Sequence, residues 1–334
     1  MSDHQQWLDQ VREEIIDPAR PIIDPHHHLW RESRLGWPYL LEDLRADTGG
    51  GHNIVKTVFL ECHAEYLSEG PEHLRPVGET TFVAGIAEAS AASDGAEIAG
   101  IVSRADLRLG AQLDEVLDAH EQAGGGRFRG IRHAGACTPD PTGMLIPGGA
   151  PKGLYADEAF RAGVRRLGER GYTYDTWHYH FQNEDFAQVA RAAPDTTMIL
   201  DHFGTPLGVG AWAGKRDAIF DEWKKGVEAV AACDNVVAKL GGLAMPDNGF
   251  GWNGRDRPPT SDEFVEAQRP YYLHMIELFG PERCMFESNF PVDRLSLSYP
   301  VLWNGLKKIA AGFSEDEKQL LFHDTAARIY GLAS

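Results

Sequence analysis

Residues 22–30 read IIDPHHHLW, an apolar run followed by Asp24, a proline, three consecutive histidines and two more apolar residues. This pattern predicts a short buried strand that runs out into a loop. Because side chains alternate between the faces of a strand, Asp24, His26 and His28 point one way and His27 points the other. Burying several imidazoles without a function costs free energy, so His26 and His28 are candidates for binding one small ion or one substrate group.

This strand is the first of eight in the sequence. Seven further strand-like runs cover residues 53–62, 98–107, 127–135, 171–180, 196–204, 235–243 and 283–292. Helix-period stretches lie between them, and several begin with Asp or Asn caps and end in Gly. Eight alternating units predict a (β/α)8 TIM-type barrel in a single domain over residues 21–334, preceded by an N-terminal arm or helix over residues 1–20. An open doubly wound sheet is the alternative, but no Gly-x-Gly-x-x-Gly or P-loop pattern follows an early strand.

The composition restricts the partners of the chain. Of its 334 residues, 43% are apolar and 25% are charged, and 32 basic against 50 acidic residues give a net charge of −18. This charge argues against nucleic acid or an anionic membrane as a partner and favours a small-molecule substrate. An anionic substrate is still compatible with the sequence, because arginines near a site can outweigh the net negative charge of the chain.

Four scattered cysteines without a C-x-x-C pair, and a polar N-terminus without a signal peptide, predict a cytoplasmic protein. No apolar run approaches the roughly 18 residues that span a bilayer. The N-terminal arm is a candidate contact in a homo-oligomer.

Polar residues follow the predicted strands at the end where barrel enzymes gather their active sites. Long Gly/Pro-rich connections at 136–153, 204–216 and 244–261 would lie at the same rim, where lids and specificity walls are found. In strand order, the polar residues are His26 and His28, Glu61 and His63, Arg132 and His133, His178 and His180, His202, Lys239, and Glu287 and Asn289. Five strands that each deliver a histidine to one rim predict a functional site.

Taken together, several motifs resemble the amidohydrolase superfamily. They are the D-x-H-x-H of residues 24–28, WHYHFQ at 177–182, LDHFGTP at 200–206, KLGGL at 239–243 and FESNFPV at 286–292. The resemblance covers residues 20–331 and is strongest to the branch that holds sugar lactonases, 4-sulfomuconolactonase and 2-pyrone-4,6-dicarboxylate lactonase.

The resemblance implies a role for each matching position. His26, His28 and His180 match metal ligands of metal-dependent members, with His178 as a rival to His180. His202 matches a histidine that orients water or substrate. Arg132 matches an arginine that can meet a substrate carboxylate, which its planar fork suits.

The eighth strand departs from the family pattern. The family usually has Gly-Ser-Asp-x-Pro-Val there, whose Asp binds metal and takes a proton from water, whereas this chain has Asn289. An amide cannot act as a general base at neutral pH and is a poor zinc ligand. Glu287 and Asp293 are the substitute carboxylates; Glu287 lies deeper along the strand, where it would tune a histidine.

Three alternatives follow. One divalent ion, zinc or manganese, binds at His26, His28 and His180, with Asn289 holding the bound water and His202 as the base. Alternatively no metal is bound and the histidines alone perform the acid–base chemistry. In the third alternative the barrel is catalytically silent and binds a ligand.

The leading hypothesis is a hydrolase that opens a small lactone or related cyclic ester by attack of water on the carbonyl. Its candidate catalytic residues are His180, His202, Asn289 and His178, and its candidate substrate-binding residues are Arg132, Glu61, His63 and Lys239. The alternative enzyme is a lyase that decarboxylates or hydrates an aromatic or unsaturated carboxylic acid.

Overall fold

A computed structural model describes residues 3–33 and 35–332 and shows a barrel of eight parallel strands. The strands are β1 Pro21–His27, β2 Asn53–Leu60, β3 Glu97–Ser103, β4 Phe128–Arg132, β5 Thr173–Thr176, β6 Met198–Leu200, β7 Val236–Leu240 and β8 Cys284–Phe286. They pair in chain order from β1 to β8. The segment after β8 closes the barrel on β1, because Asn289 N donates to His26 O at 3.0 Å and His28 N donates to Phe290 O at 2.8 Å. The predicted (β/α)8 barrel is confirmed.

Helices alternate with the strands and surround the barrel. They are α1 Asp3–Leu8, α2 Leu41–Thr48, α3 Val77–Ala91, α4 Gln112–Gly124, α5 Glu158–Glu169, α6 Asn183–Ala192, α7 Arg216–Ala231, α8 Ser261–Phe279, α9 Tyr299–Ile309, α10 Glu315–Gln319 and α11 Thr325–Ile329. A π-helical turn, Leu320–Asp324, joins α10 to α11. Side-chain caps fix some helix starts, as at α5, where Asp157 accepts a hydrogen bond from Ala159 N at 2.8 Å.

Two of the apolar clusters in the described chain show how the fold is held together. The larger lies between the sheet and the helices and includes Phe186 and Trp223. The smaller fills the barrel interior with alternate strand residues such as Val58 and Ile199, and Tyr330 belongs to the same cluster. The apolar filling leaves the opposite, C-terminal end of the barrel for polar residues.

The seven strands after β1 end before the predicted runs do, and at β5, β6 and β8 the difference affects candidate site residues. β5 ends at Thr176, β6 at Leu200 and β8 at Phe286, so the prediction that strands continue through the histidine and asparagine motifs is wrong. The chain leaves the sheet because 3₁₀ turns form at His180–Gln182 and His202–Gly204. Left-handed backbone at His202 (φ 52°) and Asn289 (φ 55°) also breaks the ladder. Beyond the ends of β5, β6 and β8, turns therefore determine where the side chains point, and strand alternation does not.

The N-terminal arm packs on its own barrel. Ile16 N donates to Asn304 Oδ1 at 2.9 Å, and Ser261 N donates to Glu13 Oε1 at 2.7 Å. Residues 1, 2, 333 and 334 of the predicted arm and domain lie outside the described residues. A role of the arm in a homo-oligomer stays a prediction. Within the described chain, no helix combines the length and the apolar character needed to cross a bilayer.

Candidate active site

A cavity of about 650 Å³ opens at the C-terminal ends of the strands. Among the predicted site residues, it is lined by His28, Glu61, His63, Arg132, His202 and Asn289. His26 and Glu287 are completely buried directly beneath, and the rings of His26 and His202 lie 4.5 Å apart. The structure thus brings together residues that follow five different strands.

Glu287 joins the two central histidines. Its Oε1 atom lies 2.7 Å from His202 Nδ1, and its Oε2 atom lies 2.7 Å from His26 Nδ1. Burial raises the pKa of Glu287 to about 8, opposed by the nearby positive charge of Lys239. Burial also lowers the pKa of His202 to about 3, so the imidazole is neutral at pH 7. When Glu287 is ionised it only accepts hydrogen bonds; His202 then donates from Nδ1 and keeps a lone pair on Nε2.

His28 is held in the same tautomer by a different partner. Its Nδ1 atom lies 2.8 Å from the carbonyl oxygen of Leu60. A carbonyl only accepts, so Nδ1 carries the proton and Nε2 of the neutral ring has a lone pair. His27 points to the other face, as predicted, and its Nε2 atom lies 3.0 Å from Thr57 Oγ1.

Arg132 is bound mainly by the protein itself. Its Nε atom donates to Glu61 Oε1 at 3.0 Å, and its Nη2 atom donates to the carbonyl oxygen of Glu61. Its Nη1 atom lies 3.3 Å from His26 Nε2 and 3.6 Å from Asp201 Oδ2. Because a guanidinium only donates, His26 accepts at Nε2 and carries its proton on Nδ1, facing Glu287. Arg132 and Glu61, both predicted to bind substrate, therefore bind each other.

Lys239 lies below the cavity. It is fully buried, and its Nζ atom lies 2.9 Å from Asp175 Oδ2 and 3.3 Å from Asp201 Oδ1. Tyr330 also donates to Asp175 Oδ2 at 2.5 Å. These contacts make Lys239 a partner in a buried ion pair, and Lys239 does not line the cavity.

Asn289 is anchored by Asp293, which the sequence named as a substitute carboxylate. Asn289 Nδ2 donates to Asp293 Oδ1 at 2.9 Å, and Ala244 N donates to Asp293 Oδ2 at 3.2 Å. Burial raises the pKa of Asp293 well above its ordinary value. The amide nitrogen of Asn289 only donates, and one of its N–H groups binds Asp293. The acceptor that Asn289 can offer to a ligand is its amide oxygen.

The two histidines that follow β5 lie outside the central group. His178 is fully buried, with Nδ1 2.9 Å from Tyr155 Oη and Nε2 2.8 Å from Asn183 Oδ1. His180 Nδ1 accepts weakly from Leu207 N at 3.4 Å, and burial lowers its pKa to about 4. Neither lines the cavity. The structure does not bring His180 together with His26 and His28, because the 3₁₀ turn after β5 carries it away.

A pair of glycines makes room for the contact between His202 and Glu287. Gly241 and Gly242 belong to the KLGGL motif that follows β7. A Cβ at Gly242 (φ 78°) would lie 2.3 Å from His202 Nδ1, and one at Gly241 would lie 2.4 Å from Glu287 Cγ. Any side chain here would push apart the histidine and the carboxylate, which explains the motif in physical terms.

Two arginines of the cavity were missed in the sequence. Arg104 and Arg108 follow β3 and line the cavity. Their signal was available in the stretch SRADLRL, where two cations follow directly on a strand end. The third strand delivers no histidine, so the histidine pattern does not point to it. His63, by contrast, was predicted; it is largely exposed, and its Nδ1 atom lies 3.3 Å from Glu61 Oε2.

Two of the three long connections form the cavity wall. Pro147 and Met245 line it from the connections 136–153 and 244–261. Asp247 ties these two connections together, because its carboxylate accepts from Leu145 N at 2.6 Å and from Ile146 N at 2.9 Å. Connection 204–216 packs behind them and contributes no cavity-lining residue.

The residues present fit a divalent ion. His26, His202 and Glu287 offer ligand atoms that all lie within 4.8 Å of one another, and two histidines with one carboxylate form a known catalytic zinc ligand set. His26 Nδ1 and Glu287 Oε2 are close but not aligned as a hydrogen bond. Glu61, Asp175 and Asp201 form ion pairs with Arg132 or Lys239, and the charge of Glu287 also interacts with Lys239. A cation or extra protons would neutralise the surplus negative charge.

Comparison with known proteins agrees with this architecture. The model of the amidohydrolase family matches residues 23–332. The chain belongs to the amidohydrolase family. Membership makes it an enzyme of the broad hydrolase class, and it confirms the resemblance read from the sequence motifs.

Individual amidohydrolase relatives cover nearly the whole chain. Uncharacterized protein y4mH of Sinorhizobium fredii is 34% identical over 92% of this chain and 98% of its own length. L-fucono-1,5-lactonase of Burkholderia multivorans is 27% identical over 93% and 96%. An amidohydrolase of Burkholderia multivorans, solved with bound zinc, has a TM-score of 0.74 and 24% identity over 94% of this chain and all of that chain. The last likeness supports the fold alone.

Proposed function

We propose that this amidohydrolase opens a small lactone by general-base-assisted attack of water on the ring carbonyl. The observation that carries the proposal is the cavity-lining imidazole of His202, whose Nδ1 atom contacts the buried carboxylate of Glu287. The same arrangement of carboxylate, imidazole and reacting oxygen activates the nucleophile in many hydrolases. The 27% identity to L-fucono-1,5-lactonase supports a lactone as the substrate.

In this mechanism, His202 Nε2 takes a proton from water as the water oxygen bonds to the lactone carbonyl carbon. Glu287 in its ionised form, which prevails above its pKa of about 8, stabilises the imidazolium that forms. The C–O bond to the ring oxygen then breaks, and His202 returns the proton to that oxygen, which gives a hydroxy acid. His202 therefore acts first as the base and then as the acid.

Two further groups assist from this chain. The positive charge of Arg132, at the cavity wall beside His26, offsets the charge that develops on the carbonyl oxygen. The amide oxygen of Asn289 accepts a hydrogen bond from a substrate hydroxyl or from the attacking water. Asn289 thus orients a partner and does not take its proton.

A divalent ion, if bound, would be held by His26, His202 and Glu287, with His28 beside them. Such an ion supplies Lewis-acid polarisation of a carbonyl or lowers the pKa of bound water. Elemental analysis of protein purified without added metal distinguishes the metal-bound from the metal-free form of the proposal.

The test is lactone opening by the purified full-length protein. We expect catalysed proton release with a panel of sugar lactones, a product mass that increases by one water, and a loss of kcat of roughly 10²- to 10⁴-fold in His202→Asn. The matched control is His27→Asn, which alters a buried histidine on the outer face of the same barrel. A folded native protein that opens no lactone contradicts the proposal, and release of carbon dioxide from an unsaturated acid would favour the lyase.

A further inference from the structure

The three described arginines that line the cavity differ in what already binds them. Arg132 is held by Glu61 through both side-chain and backbone acceptors. Arg108 forms a bidentate pair with Asp106, at 2.9 Å from Nε and 2.7 Å from Nη2. Neither guanidinium presents an open fork to a ligand.

Arg104 is different. It follows β3 directly, is half-buried and lines the cavity, and the one described hydrogen bond of its guanidinium runs from Nη1 to the carbonyl oxygen of Ala105. Within residues 3–33 and 35–332, no carboxylate lies within 4.0 Å of its guanidinium nitrogens. Its charge reaches the cavity walls, because it helps to lower the pKa of both His133 and Glu61. A half-buried cation with no carboxylate within ion-pair distance is free to pair with an anion from outside the protein.

We propose that Arg104 binds a carboxylate of the substrate, so that the preferred substrate is an acidic lactone, the monolactone of a dicarboxylic acid. This proposal rests on the proposed function and names its substrate class. A guanidinium matches a carboxylate through two parallel hydrogen bonds. The positive charge of Arg104 also offsets, within the cavity, the net charge of −18 that would otherwise disfavour an anionic substrate.

The barrel fixes where that carboxylate lies on the substrate. In the strand order β3 is three strands from β6, so Arg104 and His202 line the cavity from well-separated parts of its rim. A lactone whose carbonyl lies at His202 therefore places its carboxylate at the far end of the molecule. We expect a hexaric acid monolactone with the free carboxyl group on the terminal carbon to fit, and the corresponding neutral hexonic acid lactone to fit less well.

The experiment compares these two lactones with the native full-length protein and three variants. Arg104→Met removes the charge at similar length, Arg104→Lys keeps a charge without the fork, and Arg108→Met is the matched control at a guanidinium already paired with Asp106. We expect Arg104→Met to lower kcat/KM for the acidic lactone by roughly 10- to 100-fold, with a change below about threefold for the neutral one. Arg104→Lys should be intermediate, and Arg108→Met should leave the preference unchanged.

Binding of the ring-opened dicarboxylate, measured by calorimetry, separates this proposal from lactonase activity itself. Arg104→Met should weaken that binding by roughly the same 10- to 100-fold whether or not any lactone is turned over. Equal losses with both lactones, a native preference for the neutral lactone, or unchanged dicarboxylate binding in Arg104→Met would each overturn the assignment. Failure of every lactone to react, with Arg104-dependent dicarboxylate binding intact, would instead reject only the proposed reaction.

Discussion

Replacing Glu287 with glutamine tests the central contact of the site. The carboxylate lies 2.7 Å from Nδ1 of both His26 and His202. Because Arg132 donates to His26 Nε2, the proton of His26 stays on Nδ1. The glutamine side chain can accept a hydrogen bond from this N–H only with its amide oxygen. The amide NH2 group then faces His202 Nδ1, which must accept, and the proton of His202 moves to Nε2. The lone pair that takes a proton from water is lost.

The expected magnitude follows from this change of tautomer. Losing the general base and the charge that stabilises its imidazolium lowers kcat by roughly 10²- to 10⁴-fold. KM should stay within about threefold, because Glu287 is fully buried and does not line the cavity. Opening of a lactone releases a proton, so a pH indicator in weak buffer follows the reaction after subtraction of spontaneous hydrolysis.

The matched control is Glu79→Gln. Glu79 is also a fully buried glutamate, but its Oε1 atom accepts from the backbone nitrogens of Cys62 and Ala64 at 3.0 and 2.7 Å. This variant should keep kcat within about threefold of the native value. The reasoning is refuted if Glu287→Gln keeps kcat within tenfold of native while its unfolding transition and metal content are unchanged.

Three further predictions concern stability, each measured by urea unfolding. Burial raises the pKa of Glu79 from 4.5 to about 8, so its stabilising contribution is complete below about pH 4.5 and is lost as the pH rises through 8. The native protein should therefore lose on the order of a few kcal/mol relative to Glu79→Gln between pH 5 and 9, and parallel pH profiles would contradict this. Lys239→Met leaves the buried Asp175 without its ion-pair partner and should cost about 3–5 kcal/mol; a cost below about 1 kcal/mol would count against the buried ion pair. Asn289→Asp places a second carboxyl group beside Asp293, so it should destabilise by about 1–3 kcal/mol, more at pH 8 than at pH 5, and equal effects at both pH values would reject the repulsion.

The barrel and the first strand were predictable from local patterns. Eight apolar runs alternating with helix-period stretches sufficed for the fold. The alternation of side chains on β1 separated His26 and His28 from His27. The same alternation was wrong for Asp24, which accepts a hydrogen bond from Tyr299 Oη of the outer helix α9 at 2.9 Å, because the register shifts between Asp24 and His27. The prediction that Glu287 would tune a histidine depended on its depth along the eighth strand, and the structure places its carboxylate against two histidines.

The details that lie beyond strand ends were not predictable in the same way. His180 was predicted from a strand that in fact ends at Thr176, and left-handed backbone at His202 and Asn289 has no period-2 signature. The contact between Arg132 and Glu61 joins residues 71 positions apart, so the sequence could not show that the arginine is already bound. Arg104 was not predicted, because it follows a strand that carries no histidine.

The carboxylate of Asp247 joins the two cavity-forming connections across the mouth of the barrel. Its hydrogen bonds to Leu145 N and Ile146 N couple two parts of the cavity wall that lie about 100 positions apart in the chain. A change of length or composition in one connection must therefore be matched in the other. Transplanting substrate preference between barrels of this kind requires that both segments move together, with Asp247 carried along as their shared anchor.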